Sequence, residues 1–131
     1  MKKFLFFLGL MATLTACQES MVQRAARDAR EMTEKKCPMP LDAEGKVILE
    51  RIDFDTATLT WQQHYLLNMQ PEDGPIDQEE ARHLLLDELK NSPSYQPYMD
   101  NGFVFQYIYC RTSNPTDTLI NLSLTPQDYK D

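Results

Sequence analysis

Glycine is scarce in this chain, with four residues in 131, and only Gly45, Gly74 and Gly102 lie beyond the first cysteine. Loops that cradle phosphate need glycine at fixed spacing, so neither a P-loop nor a dinucleotide-binding turn is present. Histidine is rarer still: His64 and His83 are the two imidazoles. His83 follows Glu80 at i, i+3 and Glu79 at i, i+4, spacings found in carboxylate-bridged metal sites, but such sites need a second helix repeating the motif and none exists. The acids Glu72, Asp73, Asp77, Glu79 and Glu80 lack the alternating aspartates and central glycine of a calcium loop. No metal and no cofactor are therefore expected. Ser20, Ser92, Ser94, Ser113 and Ser123 all lie outside a Gly-x-Ser-x-Gly elbow, so catalysis by a serine of that kind has no support.

Positive charge is also in short supply. Thirteen basic residues face twenty acidic ones, for a formal net charge of −7. A field of that sign repels phosphate backbones and anionic headgroups, which argues against nucleic acid and leaves a basic partner open. Apolar residues at 42%, with one Trp, six Tyr and six Phe, are enough for a folded core.

A long apolar run is missing too. The run from Phe4 to about Thr13 falls well short of the roughly 20 residues that span a bilayer. Lys2 and Lys3 precede it, and Leu14-Thr15-Ala16-Cys17 follows. This arrangement resembles the signal peptide of a bacterial lipoprotein. An ordinary secretory cut after Ala16 would put bulky Leu14 where a small residue is wanted, whereas a lipobox accepts leucine there. The resemblance implies that residues 1–16 are removed and that Cys17 carries two or three acyl chains such as palmitate, enough for stable anchoring. Gln18 stands where an aspartate would hold an enterobacterial lipoprotein in the inner membrane. The implied location is therefore the outer membrane, facing the periplasm. The mature chain would keep 115 residues, with eleven basic and twenty acidic side chains, and one domain's worth of sequence.

With Cys17 committed to lipid, Cys37 and Cys110 remain. An even remainder in an oxidising compartment leads us to expect a Cys37–Cys110 disulfide, the alternative being two free, buried thiols. Such a bond would close a loop of about 73 residues and contribute roughly 4 kcal/mol.

Residues 17–36 have no Gly or Pro and carry Val22, Ala25, Ala26, Ala29 and Met32 at three-to-four spacing among charged residues. This predicts a helix with a thin apolar stripe, serving as a tether from the lipid or packing weakly on the body, and ending at Cys37-Pro38. A single domain is expected over 37–131. Lys46 to Phe54 and Leu59 to Leu67 read as a hairpin about Asp55-Thr56-Ala57-Thr58. Asp77 caps a helix with Ala81, Leu84, Leu85 and Leu89 on one face, ending near Asn91. Tyr95 to Gly102 reads as irregular. Phe103 to Cys110 and Thr118 to Thr125 form a second hairpin, and Pro126 opens a short polar tail. The expected fold is α+β: the N-terminal helix, then β-β-α-β-β, as a four-stranded antiparallel sheet with one helix packed on one face.

If that helix alone covers the sheet, one row of the strand at 103–110 stays open. Trp61, Tyr65, Tyr107 and Tyr109 then form a partly exposed aromatic patch for a peptide, glycan or protein, unless the N-terminal helix covers them. Cys37-Pro38-Met39-Pro40-Leu41-Asp42, the strand from Leu59 to Leu67, and Tyr107-Ile108-Tyr109 with Leu124-Thr125-Pro126 resemble small uncharacterised bacterial lipoproteins. That resemblance implies location and fold and brings no catalytic residues. The expectation is a lipid-anchored envelope module that binds a basic protein or peptide. The alternative is a small periplasmic enzyme with a carboxylate/histidine site.

Overall fold

A computed structural model describes residues 19–130. Cys17 and the expected leader lie outside the described residues. Helix α1 (Met21–Lys35) opens with a reciprocal cap, in which Ser20 Oγ accepts from Gln23 N–H and Gln23 Oε1 accepts from Ser20 N–H, each at 3.1 Å. Strand β1 (Met39–Pro40) is two residues long, and β2 (Val47–Asp55) and β3 (Thr60–Leu67) form the expected hairpin. Helix α2 (Gln78–Lys90) is capped by Asp77 Oδ1, which accepts from Glu79 and Glu80 N–H at 3.0 and 3.2 Å. A 3-10 turn at Pro93–Tyr95 and helix α3 (Gln96–Asp100) lead into β4 (Val104–Arg111). Strand β5 (Asn114–Leu124) and the helical turn α4 (Pro126–Tyr129) complete the chain.

The α+β class holds, but the sheet differs from the expected one. It has five strands in the order β1-β2-β3-β4-β5, and the central pair, β3 and β4, runs parallel with Thr60 opposite Val104 and Tyr65 opposite Tyr109. The two hairpins are joined by a long segment containing α2 and α3. Such a crossover lets a strand return in the same direction, where a short turn could not. A bulge between Leu49 and Arg51 lets both Leu49 and Ile52 face the core, three residues apart.

Among the described residues, the buried side chains of the four helices join one cluster with Leu49, Ile52, Trp61, Phe105, Tyr107 and Leu124 of the sheet. These four helices therefore pack on the same side. Phe105 and Leu124 are fully buried, and each such side chain contributes roughly 1.5–3 kcal/mol. Of the two roles expected for the first helix, packing is the one seen. Ala25 and Ala29 are buried, small enough to bring the helix close to β2. Thr33 Oγ1 donates to Ile52 C=O at 2.8 Å and accepts from Ile52 N–H at 2.9 Å, tying α1 to the open edge of β2.

Three local readings change. Leu84, expected on the packed face of α2, is 64% exposed, while Leu85 and Leu89 are buried. The 95–102 connection is helical. The tail folds back, burying Tyr129, whose hydroxyl donates to Phe103 C=O at 2.7 Å.

The expected disulfide is absent, and Cys37 and Cys110 are both free and half-buried. Cys37 lies two residues before β1 and Cys110 is in β4, with β2 and β3 between them. Three interstrand spacings amount to about 14 Å, and a disulfide tolerates a Cα separation of at most about 7 Å.

Candidate functional site

An open groove of about 600 Å³ lies between the second half of α1 and the segment from Ser92 to Tyr98. Trp61 of β3 supplies its floor, Tyr95 and Tyr98 one wall, and Asp28, Glu31 and Met32 the other. Lys35 and Lys36 stand where α1 ends. The floor is an aromatic cluster: Trp61 meets Tyr95 edge-on at 5.6 Å between ring centroids and Tyr98 at 5.2 Å.

The prolines of 92–98 shape the second wall. Pro93 and Pro97 occupy opening positions of consecutive short helical turns, where a missing N–H costs nothing. The turn at Pro93–Tyr95 and α3 together carry Tyr95 and Tyr98 over Trp61. Tyr98 closes the groove from beneath by donating its hydroxyl to the Asp28 carboxylate. Burial, and then that bonded carboxylate, push the Tyr98 phenol well above its ordinary value. Tyr95 is raised by burial as well, and its hydroxyl accepts from Gln63 Nε2 at 2.9 Å. Both phenols stay neutral across the physiological range. The indole N–H of Trp61 is buried with no acceptor in hydrogen-bonding geometry.

The four residues expected to form an aromatic patch share one face of the sheet but do not make one open surface. Trp61 and Tyr107 are 3% and 5% exposed. Tyr65 and Tyr109 stack at 4.4 Å, half-buried, and Tyr65 donates to Gln63 Oε1. Burial and the nearby Glu88 carboxylate push the Tyr109 phenol up to about 12. Of the four, Trp61 lines the groove. The sequence reading missed Tyr95 and Tyr98, whose Pro-broken segment carries no periodicity.

His64 stands on the opposite, helix-free face of the sheet. Its Nε2 is 3.3 Å from Asp53 Oδ2, outside hydrogen-bond geometry. Burial and then Arg51 hold the imidazole below its ordinary value, while Asp53 and Glu50 pull the other way. His83 is exposed on α2. Neither histidine reaches the groove. Among the described residues no three His, Cys, Asp or Glu side chains gather into a metal-binding group, and no helix is long and apolar enough to cross a membrane.

Comparison with known proteins adds family and fold. The profile of a family described as a domain of unknown function (DUF8479) matches residues 20–120. A prokaryotic membrane lipoprotein lipid attachment site matches residues 1–18, which contain Cys17. The chain is a bacterial lipoprotein, lipid-anchored in the cell envelope. No curated protein matches it in sequence. Among solved structures, the pilotin EpsS of the Vibrio vulnificus type 2 secretion system superposes with a TM-score of 0.63 at 12% identity, over 83% of this chain and 91% of the pilotin. A putative secreted protein from Pseudomonas aeruginosa gives 0.66 at 8% identity, over 86% of this chain and 100% of the other. The type II secretion system pilotin AspS of Vibrio cholerae gives 0.59 at 13%, over 81% and 89%. At these identities the likeness is one of fold.

Proposed function

The chain belongs to the DUF8479 family, and we propose that it is a lipid-anchored docking module that seats a segment of another envelope protein in the groove between α1 and the Ser92–Tyr98 wall. The anchor is Cys17, and Gln18 favours the inner leaflet of the outer membrane, with the body in the periplasm. The observation that carries the reading is the groove itself: half-buried Tyr95 and Met32 on facing walls over the buried Trp61 and Tyr98 rings, with Asp28 and Glu31 along α1 and Lys35 and Lys36 at its end. An amphipathic segment suits that chemistry, laying apolar side chains on Trp61, Tyr95 and Met32 and a basic side chain against Glu31. The acidic body favours encounter with a basic partner. Two structural neighbours are components of type II secretion systems, and a role in assembling an envelope machine agrees with this reading.

The test is affinity capture from detergent-solubilised envelopes of a strain producing the native acylated chain. One envelope protein is expected to co-purify with the wild type and to be lost when Ser94→Trp fills the groove. Equal recovery with both forms, the variant being folded, places the partner elsewhere and overturns the reading.

A further inference from the structure

The negative charge of the chain is unevenly spread, and its exception lies beside the anchor. Residues 19–36 carry Arg24, Arg27, Arg30, Lys35 and Lys36 against four acids, whereas residues 37–131 carry six basic and sixteen acidic side chains. Within α1 the split is sharper. Gln23, Arg27 and Arg30 follow one line at four-then-three spacing, opposite the buried Ala25 and Ala29, with Arg24 beside them. The exposed acids Glu31 and Glu34 follow Arg27 and Arg30 at four-residue spacing, toward the far end of the helix, and Glu31 acts on the Arg27 charge. Two further carboxylates accompany the arginines. Glu19 pairs with Arg27, and Asp28 lies within 3.7 Å of Arg24 and 3.5 Å of Arg27 but turns its other contact inward to Tyr98.

The length of the tether decides what this surface meets. The N-cap Ser20 is three positions after Cys17, a reach of at most about 11 Å. The first turns of α1 are thus held against the headgroup layer. A bacterial envelope presents anionic lipid there, and basic side chains within a Debye length of it are attracted. We infer that the arginine face of α1 (Arg24, Arg27, Arg30) lies on an anionic lipid surface and fixes the orientation of the domain on the membrane. This rests on lipid attachment at Cys17. The acidic body then points away from the bilayer. Met32 leaves the helix on the flank turned from the arginine line, and Asp28 lies at the border, bonded to Tyr98 on one side and near Arg24 and Arg27 on the other, which keeps the groove open to a periplasmic partner.

The native acylated chain in nanodiscs tests this, with a nitroxide on the lipid headgroups and backbone amide signals as readout. One set of discs is phosphatidylcholine alone, the other a mixture with phosphatidylglycerol. Signal loss at Gln23, Arg27 and Arg30 is expected to be about two-fold or more greater in the anionic discs, and to fall to the phosphatidylcholine level in high salt. The β4–β5 tip at Asn114 to Thr116 should show no such difference. The R24Q/R27Q/R30Q variant, with β3 and β4 amides unmoved, should lose the lipid preference while still eluting with the discs. Equal broadening in both lipids, or broadening at the tip, overturns the orientation and leaves the anchor standing. A chain that does not elute with the discs overturns the anchor and the orientation together.

Discussion

The hydroxyl of Tyr98 donates to the carboxylate of Asp28 across 70 residues of sequence. Tyr98 is buried beneath the groove and Asp28 belongs to α1, so this bond joins the two walls at their base. Tyr98→Phe removes the donor and leaves Asp28 with Arg24 and Arg27. We expect a loss of about 1–2 kcal/mol in urea unfolding, with a smaller loss when Asp28→Asn is already present. Additive losses in the double variant would show that the bond contributes nothing of its own.

The packing of α1 predicts that it unfolds with the sheet. Thr33→Val strands the backbone N–H and C=O of Ile52 and should cost about 1–3 kcal/mol. Ala29→Leu, forced against β2, should cost a similar amount by overpacking. A tether detached from the body would tolerate both changes, and unchanged denaturation midpoints would contradict the structure.

The two thiols predict indifference to reductant. Thiol titration of the denatured mature chain should find Cys37 and Cys110 both reactive, and the Cys37→Ser/Cys110→Ser variant should unfold at the wild-type midpoint without dithiothreitol. A disulfide would instead show as a loss of roughly 4 kcal/mol on reduction.

Acid sensitivity should begin at His64. Its folded value is held below the ordinary 6.5 by burial and then by Arg51, so the unfolded chain binds the proton more readily. Stability from this site is complete above the unfolded value and declines as pH falls through the folded one. His64→Asn should therefore flatten the pH dependence of unfolding just below neutrality. The decline attributable to Asp128 should remain, since the Thr125 N–H and Arg82 hold that carboxyl below its ordinary value and its contribution fades only in stronger acid.

Local signals in the sequence were readable where a residue's role depends on its neighbours in the chain. Asp77 capped its helix, and the alternation at Trp61 to Leu67 and Phe103 to Tyr109 marked strands with an aromatic row. The leader was legible from residues 2–17 alone. Strand direction was not, because the crossover carries no register and allows either return. The bulge at Glu50 shifted the inward residues of β2 without altering composition. The alanine stripe of α1 was too thin to separate tether from core element; the hydrogen bonds of Thr33 to Ile52 decide it, and their 19-residue separation has no sequence signature. The groove was hidden for the same reason, since no spacing rule brings Trp61 beneath Tyr95 and Tyr98.

The central claim, that the groove holds a segment of another envelope protein, is met most directly by photo-crosslinking in growing cells. A photoreactive residue replaces exposed Ser94 at the groove, or exposed Asn114 at the distant hairpin tip. The account predicts one discrete adduct from position 94, abolished by Met32→Glu, and none from position 114. No adduct from 94, or the same adducts from both positions, would contradict it.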